Sequence, residues 1–301
     1  MIKYVPNMKL LTTWLESKKF EPYPVAAIFE FDGKRLIYIG TQHNVIESKS
    51  PESFYAINYA FKKYNIDCVV TEFEHHWKSI EEKPFTNVGK EDMNELAYSV
   101  YVARSRNIPF VFADTNYADW IQDLGKISPD RAIKMQTMWI LIDALKYKQA
   151  FNKNDNIKHA LDIFRYKLSK FGYTMSLTAD EFKKCCEMDF GCIVSDENLS
   201  DILNNFTNWD YPNLDGAMPN KIWAEIDLYS RDPYMINEIF KAINKYNTVL
   251  VTMGAGHYES QRLVFENAFG KPTYIHDFPP SERIDIIAPK IPFEQKSENQ
   301  K

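Results

Sequence analysis

The chain reads as an α/β protein: a largely parallel central sheet covered by helices, with an inserted helical lobe. Three observations predict this. Short β-branched runs alternate with helical patterns up to Asp114, strand signals thin out from about 128 to 230, and an apolar strand returns at Thr248–Met253.

The elements follow in order. Val25–Phe31, Asp32-Gly33 and Arg35–Ile39 predict a hairpin with an Asp-Gly turn. Ser50-Pro51-Glu52-Ser53 opens a helix carrying Phe54–Phe61, with proline early where its missing N–H costs nothing. Cys68–Glu72 is a strand, Glu91–Arg106 a helix with Leu96, Val100 and Ala103 on one face, and Pro109–Asp114 the next strand. Within the lobe, Asp130–Phe151 and Ile157–Phe171 are helical patterns, and Thr178-x-x-Glu181 is a capping box that starts a helix to Met188. Asn204–Asn220 reads as irregular loop. Asp232-Pro233 reads as a cap and first-turn proline for a helix bearing Met235, Ile236, Ile239, Phe240 and Ile243. After Thr248–Met253 come a helix from about Tyr258 to Ala268 and a short strand, Thr273–Ile275. Residues 1–288 are expected to form one domain, lobe included, and 289–301 a polar, disordered tail.

Composition narrows the classes. Hydrophobic residues at 45% and charged residues at 26% are those of an ordinary globular protein, and a net charge of −5 speaks against nucleic-acid binding. No apolar run has membrane-span length, and the first residues carry no signal-peptide pattern. Four cysteines without C-x-x-C spacing suit a reducing compartment, so the expected location is cytoplasmic.

The candidate chemistry lies at strand ends. Leu36–Ile39 runs into Gly40-Thr41-Gln42-His43, and Thr248–Met253 runs into Gly254-Ala255-Gly256-His257. Open α/β sheets place ligands beyond the carboxyl ends of their strands, so two such turns predict two walls of one cleft. A histidine there serves as a general base or, when neutral, as a metal ligand; the plain alternative is a histidine that only hydrogen-bonds its loop. Glu72 ends the Val69-Val70-Thr71 strand, with Glu74 two residues on and placed to share its face while Phe73 packs away. A carboxylate at a buried strand end needs a cation, a metal or a histidine. Arg231, beside Asp232, is either a surface ion-pair partner or the fixed cation that orients Glu72 or an oxyanion. Asp114 is a weaker candidate of the same placement. Phosphate-loop, nucleophile-elbow and H-E-x-x-H patterns are absent, and Glu259 stands where a dinucleotide fingerprint needs its third glycine.

The ordered set Gly40-Thr41-Gln42-His43, Glu72, Arg231-Asp232-Pro233-Tyr234-Met235 and Gly254-Ala255-Gly256-His257 resembles the superfamily of TraB and Tiki proteins, erythromycin esterases and ChaN-like haem-binding lipoproteins. The resemblance spans about residues 25–278. It implies a hydrolase, a metal-assisted peptidase or amidase of the TraB/Tiki type acting on a peptide or small-molecule substrate. His43, Glu72, Arg231 and His257 would be catalytic, with His43, Glu72 and His257 binding a divalent cation (manganese, cobalt or zinc) or activating water directly. Gln42 beside His43, with no acid between the motif glycine and histidine, departs from the esterase branch and favours TraB/Tiki. The alternatives are a metal-independent esterase, or a non-catalytic small-ligand or haem-binding protein whose aromatic lobe, with Trp209–Tyr211 and Trp223, serves binding.

Overall fold

The computed structural model describes residues 3–13, 16, 24–42, 52–74, 94–146, 156–199 and 218–278. The chain divides into two compact units, one of Met1–Asp114 with Met235–Lys301, the other of Thr115–Tyr234.

The first unit is built on a six-stranded sheet. Strands β1 (Val25–Phe31) and β2 (Lys34–Thr41) form the expected hairpin, and Asp32 and Gly33 both take positive φ, the requirement of a two-residue turn. Helix α1 (Glu52–Lys63) leads to β3 (Cys68–Glu74), and α2 (Glu95–Ser105) leads to β4 (Phe110–Asp114). Strand β5 (Thr248–Gly254) is followed without a break by α9 (Ala255–Phe269), then by β6 (Thr273–Ile275). The order across the sheet is β4-β3-β5-β2-β1-β6. The first four are mutually parallel, while β2/β1 and β1/β6 are antiparallel. The sheet is therefore mixed and mostly parallel, as the alternation of strands and helices predicts.

Period-two alternation sends neighbouring residues to opposite layers. Ile37, Ile39, Val69 and Leu250 pack with Phe54 and Ile57 of α1 and Tyr98 and Val100 of α2. Leu36, Tyr38, Val70, Val249 and Val251 pack with Tyr258 and Phe265 of α9 and with Ile236, Ile239 and Phe240 of α8 (Asp232–Lys245). The parallel strands are thus covered on both faces, which is why they read as continuous apolar runs.

Consequently the helices that follow β2 and β3 lie on one face and the helix that follows β5 on the other. Strand β5 sits between β2 and β3, so its carboxyl end is the topological switch point of the sheet, where α/β proteins form their binding crevices.

The second unit is helical in all its described elements: α3 (Tyr117–Ile127), α4 (Pro129–Lys146), α5 (Asn156–Ser169), α6 (Ala179–Phe190), α7 (Met218–Ile226) and a π-helical turn, Asp227–Arg231, that runs into α8. The region expected as a lobe, about 128–230, falls inside it. Helix α3 has no counterpart among the sequence expectations, although Asn116 and Asp119 cap it reciprocally. Trp120, Met135, Met138, Ile140, Phe164 and Phe182 centre its core. Helix α6 starts from the Thr178/Glu181 capping box that the sequence predicts. Among the described residues no helix is long and apolar enough to cross a membrane.

Candidate active site

The site begins with the way β5 ends. The strand stops at Gly254, and α9 starts at once with Ala255 and Gly256 in its first turn. His257 is therefore the third residue of a helix rather than part of a loop, which corrects the expectation of a helix from Tyr258. A helix leaves its first N–H groups without internal partners, and Gly254 has no side chain to cap them.

Glu72 does part of that work from the neighbouring strand. Its Oε2 accepts the backbone N–H of Gly254 at 2.7 Å, and its Oε1 lies 3.2 Å from Nε2 of His257. In a capping box a glutamate at the third helical position reaches back to the N-cap N–H. Here that position holds His257, and Glu72 supplies the carboxylate from β3. The positive end of the helix dipole adds to the attraction. Both side chains are nearly buried, at 9% and 7% exposure for Glu72 and His257. With Glu72 ionised, the contact requires the proton on Nε2 of His257, which makes Nδ1 the basic nitrogen of the ring.

The backbone of β3 is irregular at this point. Thr71 pairs with Phe112 but Glu74 pairs with Asp114, so β3 carries one extra residue and a bulge across Glu72 and Phe73. A bulge breaks strict alternation, and Glu72 and Glu74 cannot be assigned a common face from spacing alone. Phe73 packs into the layer of α1 and α2 and meets Phe112 edge to face at 5.6 Å, as expected of it.

Gly40 acts differently from the sequence reading, which gave it a sharp turn. It lies inside β2, and a Cβ there would stand 3.0 Å from the Cα of Ala255, 3.4 Å from its Cβ and 3.5 Å from the Cβ of Tyr258. The first motif's glycine makes room for the first turn of the second motif's helix. The strands hold that approach in register, Gly40 opposite Met253 and Thr41 opposite Gly254, and Thr41 Oγ1 donates to the Met253 carbonyl at 3.3 Å.

Of the predicted residues, Glu72 and His257 come together. His43 lies outside the described residues, as do Trp209–Tyr211 and the side chain of Glu74. Arg231 belongs to the second unit, where its guanidinium meets Asp227 at 2.9 Å and lies 5.4 Å from the ring of Trp120. Asp232 is not a helix cap. It has helical angles, is wholly buried, and its N–H bonds to the Asp227 carbonyl, five residues back. Pro233 has no N–H to give the ladder, and a widened π turn just before it accommodates that gap. Trp223, expected to line a binding lobe, packs against Trp120 and Trp139 at 5.8 and 5.4 Å in the core of its unit.

Comparison with protein families, curated proteins and solved structures finds no match.

Among the described residues no group of three or more histidine, cysteine, aspartate or glutamate side chains is placed to hold a metal ion. With the Nε2 proton displaced, the pair itself fits a shared ion: ligand bonds of about 2.1 Å at tetrahedral angles put donor atoms about 3.4 Å apart, and the observed O···N separation is 3.2 Å. Glu72 also fits the position behind a ligating histidine, where carboxylates fix the ring. His43 is the third donor that the motif pattern offers.

Proposed function

We propose that the protein is a hydrolase of the TraB/Tiki kind, a metal-assisted peptidase or amidase, in which Glu72 and His257 prepare water for attack on a carbonyl. The observation that carries this is the Glu72–His257 pair at the carboxyl end of β5. Glu72 fixes the ring and its tautomer, and Nδ1 of His257 takes the proton from water. Glu72 also favours the charged ring that forms on proton transfer, as a carboxylate behind a catalytic histidine does. A divalent cation (manganese, cobalt or zinc) held by His257 with His43 and Glu72 would supply Lewis acidity at the carbonyl. His43 and Arg231 enter this reading through the motif pattern alone.

The test is hydrolysis of peptide, amide and ester panels by chelator-treated protein, alone and with each metal added. Wild type should cleave amides, and Glu72→Gln and His257→Ala should each lower the rate by about 100-fold or more while the far-ultraviolet circular dichroism is unchanged. Cleavage no faster than the His257→Ala background under every metal condition would sink the proposal. Cleavage indifferent to chelation would retain the pair and remove the metal.

A further inference from the structure

Three of the four cysteines, Cys185, Cys186 and Cys192, lie around the end of α6 in the second unit. The helix stops at Gly191, which takes the left-handed conformation at φ 65°. The N–H groups of Gly191 and Cys192 then both turn back to the carbonyl of Cys186, that of Cys192 at 3.0 Å. A helix end of this kind presses together one side chain from the last turn and one from beyond the glycine, and the pair is ordinarily apolar. In this chain it is two thiols. The Cys192 thiol donates to the Cys186 carbonyl oxygen at 3.6 Å, which folds the two cysteines into one turn. Cys186 is wholly buried and Cys192 is partly exposed.

We propose that Cys186 and Cys192 are a peroxide-reactive pair that closes to an intramolecular disulfide. Cys192 is the residue that solvent reaches first, and the Cys186 side chain beside it holds its thiol below the ordinary range. The Cys192 side chain, and then burial, push Cys186 up. The Cys192 thiolate attacks one oxygen of hydrogen peroxide; the O–O bond breaks, hydroxide leaves and is protonated to water, and Cys192 becomes a sulfenic acid. The sulfur of Cys186 then displaces the sulfenic hydroxyl. An S–S bond forms, the S–O bond breaks, and the hydroxyl leaves with the Cys186 proton as a second water. Two thiols are oxidised and one peroxide is reduced to two waters. Cys185 and Cys68 stay out: burial pushes their thiols up to about 11 and about 12.

The experiment is peroxide treatment of the full chain at neutral pH after removal of reductant, followed by denaturation, iodoacetamide trapping and tryptic mass mapping. Cys186 and Cys192 should lose alkylation together, the intact monomer should lose the mass of two hydrogens, and dithiothreitol should restore both. Cys185→Ala should behave as wild type, and Cys192→Ser, a change at a partly exposed site, should abolish the mass loss. Three results would overturn the proposal: sulfinic acid or an intermolecular disulfide at Cys192 with Cys186 still alkylated, loss of the reaction in Cys185→Ala, or no thiol reacting at all.

Discussion

The segments after β2 and after β5 are nearly the same phrase in sequence, yet they fold as different objects. At Gly40 the strand continues through Thr41, and the glycine is empty space against Ala255. At Gly254 the strand stops, and the glycine is the uncapped start of a helix whose first N–H is taken by Glu72. A glycine motif therefore does not denote one backbone shape. What it denotes here is close approach, since the first glycine's missing side chain is what lets the second glycine's helix begin beside it.

That comparison can be broken in three ways, from the largest effect to the smallest. Gly40→Val should overpack the contact with the Ala255 backbone and lower the unfolding free energy by about 3 kcal/mol, read from urea denaturation. A variant as stable as wild type would mean that α9 is not held against β2.

Second, Tyr258 packs beside Gly40, and burial first, then its bond to Tyr274 at 2.9 Å, raise its phenol above the ordinary range. A raised folded pKa favours the protonated form in the native state. The stability it contributes is full below the unfolded value of 10.0 and is lost as pH rises beyond it. Tyr258→Phe should flatten the alkaline fall in stability, removing up to about 1.4 kcal/mol per pH unit above pH 10. Parallel stability curves for the two proteins above pH 10 would exclude this.

Third, α6 caps itself through Thr178, whereas α9 borrows Glu72 from β3. Thr178→Ala should cost about 1 kcal/mol and nothing else. The corresponding loss at α9, in Glu72→Gln, should also move the His257 ring signals in nuclear magnetic resonance titrations. Unmoved signals would separate the capping role from any role at the histidine.

The fold was largely legible because its signals are local. The Asp32-Gly33 turn, the Thr178-x-x-Glu181 box and the β-branched strands each carry their own physics in a few residues. The start of α9 was hidden because two glycines normally report a turn, while the partner that stabilises this helix start, Glu72, is far away in sequence. The bulge in β3 is likewise a property of pairing with β4, so spacing alone placed Glu72 and Glu74 together. Asp232-Pro233 mimics a helix start, and the π turn before it carries no sequence signature of its own. Helix α3 is the exception, since Asn116-x-x-Asp119 announces it plainly. Within the site, pairing of Glu72 with a histidine follows from the cost of a buried carboxylate, but which histidine it meets depends on the strand order.

That strand order has a consequence for how the chain is made. Hairpin β1/β2 and the β3/β4 pair can each form early, from neighbouring stretches of chain. Strand β5, which joins them in the middle of the sheet, emerges from the ribosome only after the whole helical unit has been synthesised. Until then β2 and β3 each present an unpaired edge, the exposed template that invites pairing with other chains. A polypeptide cut short before Thr248 would thus be a pair of open half-sheets, prone to stick to its neighbours and holding Glu72 with nothing to cap.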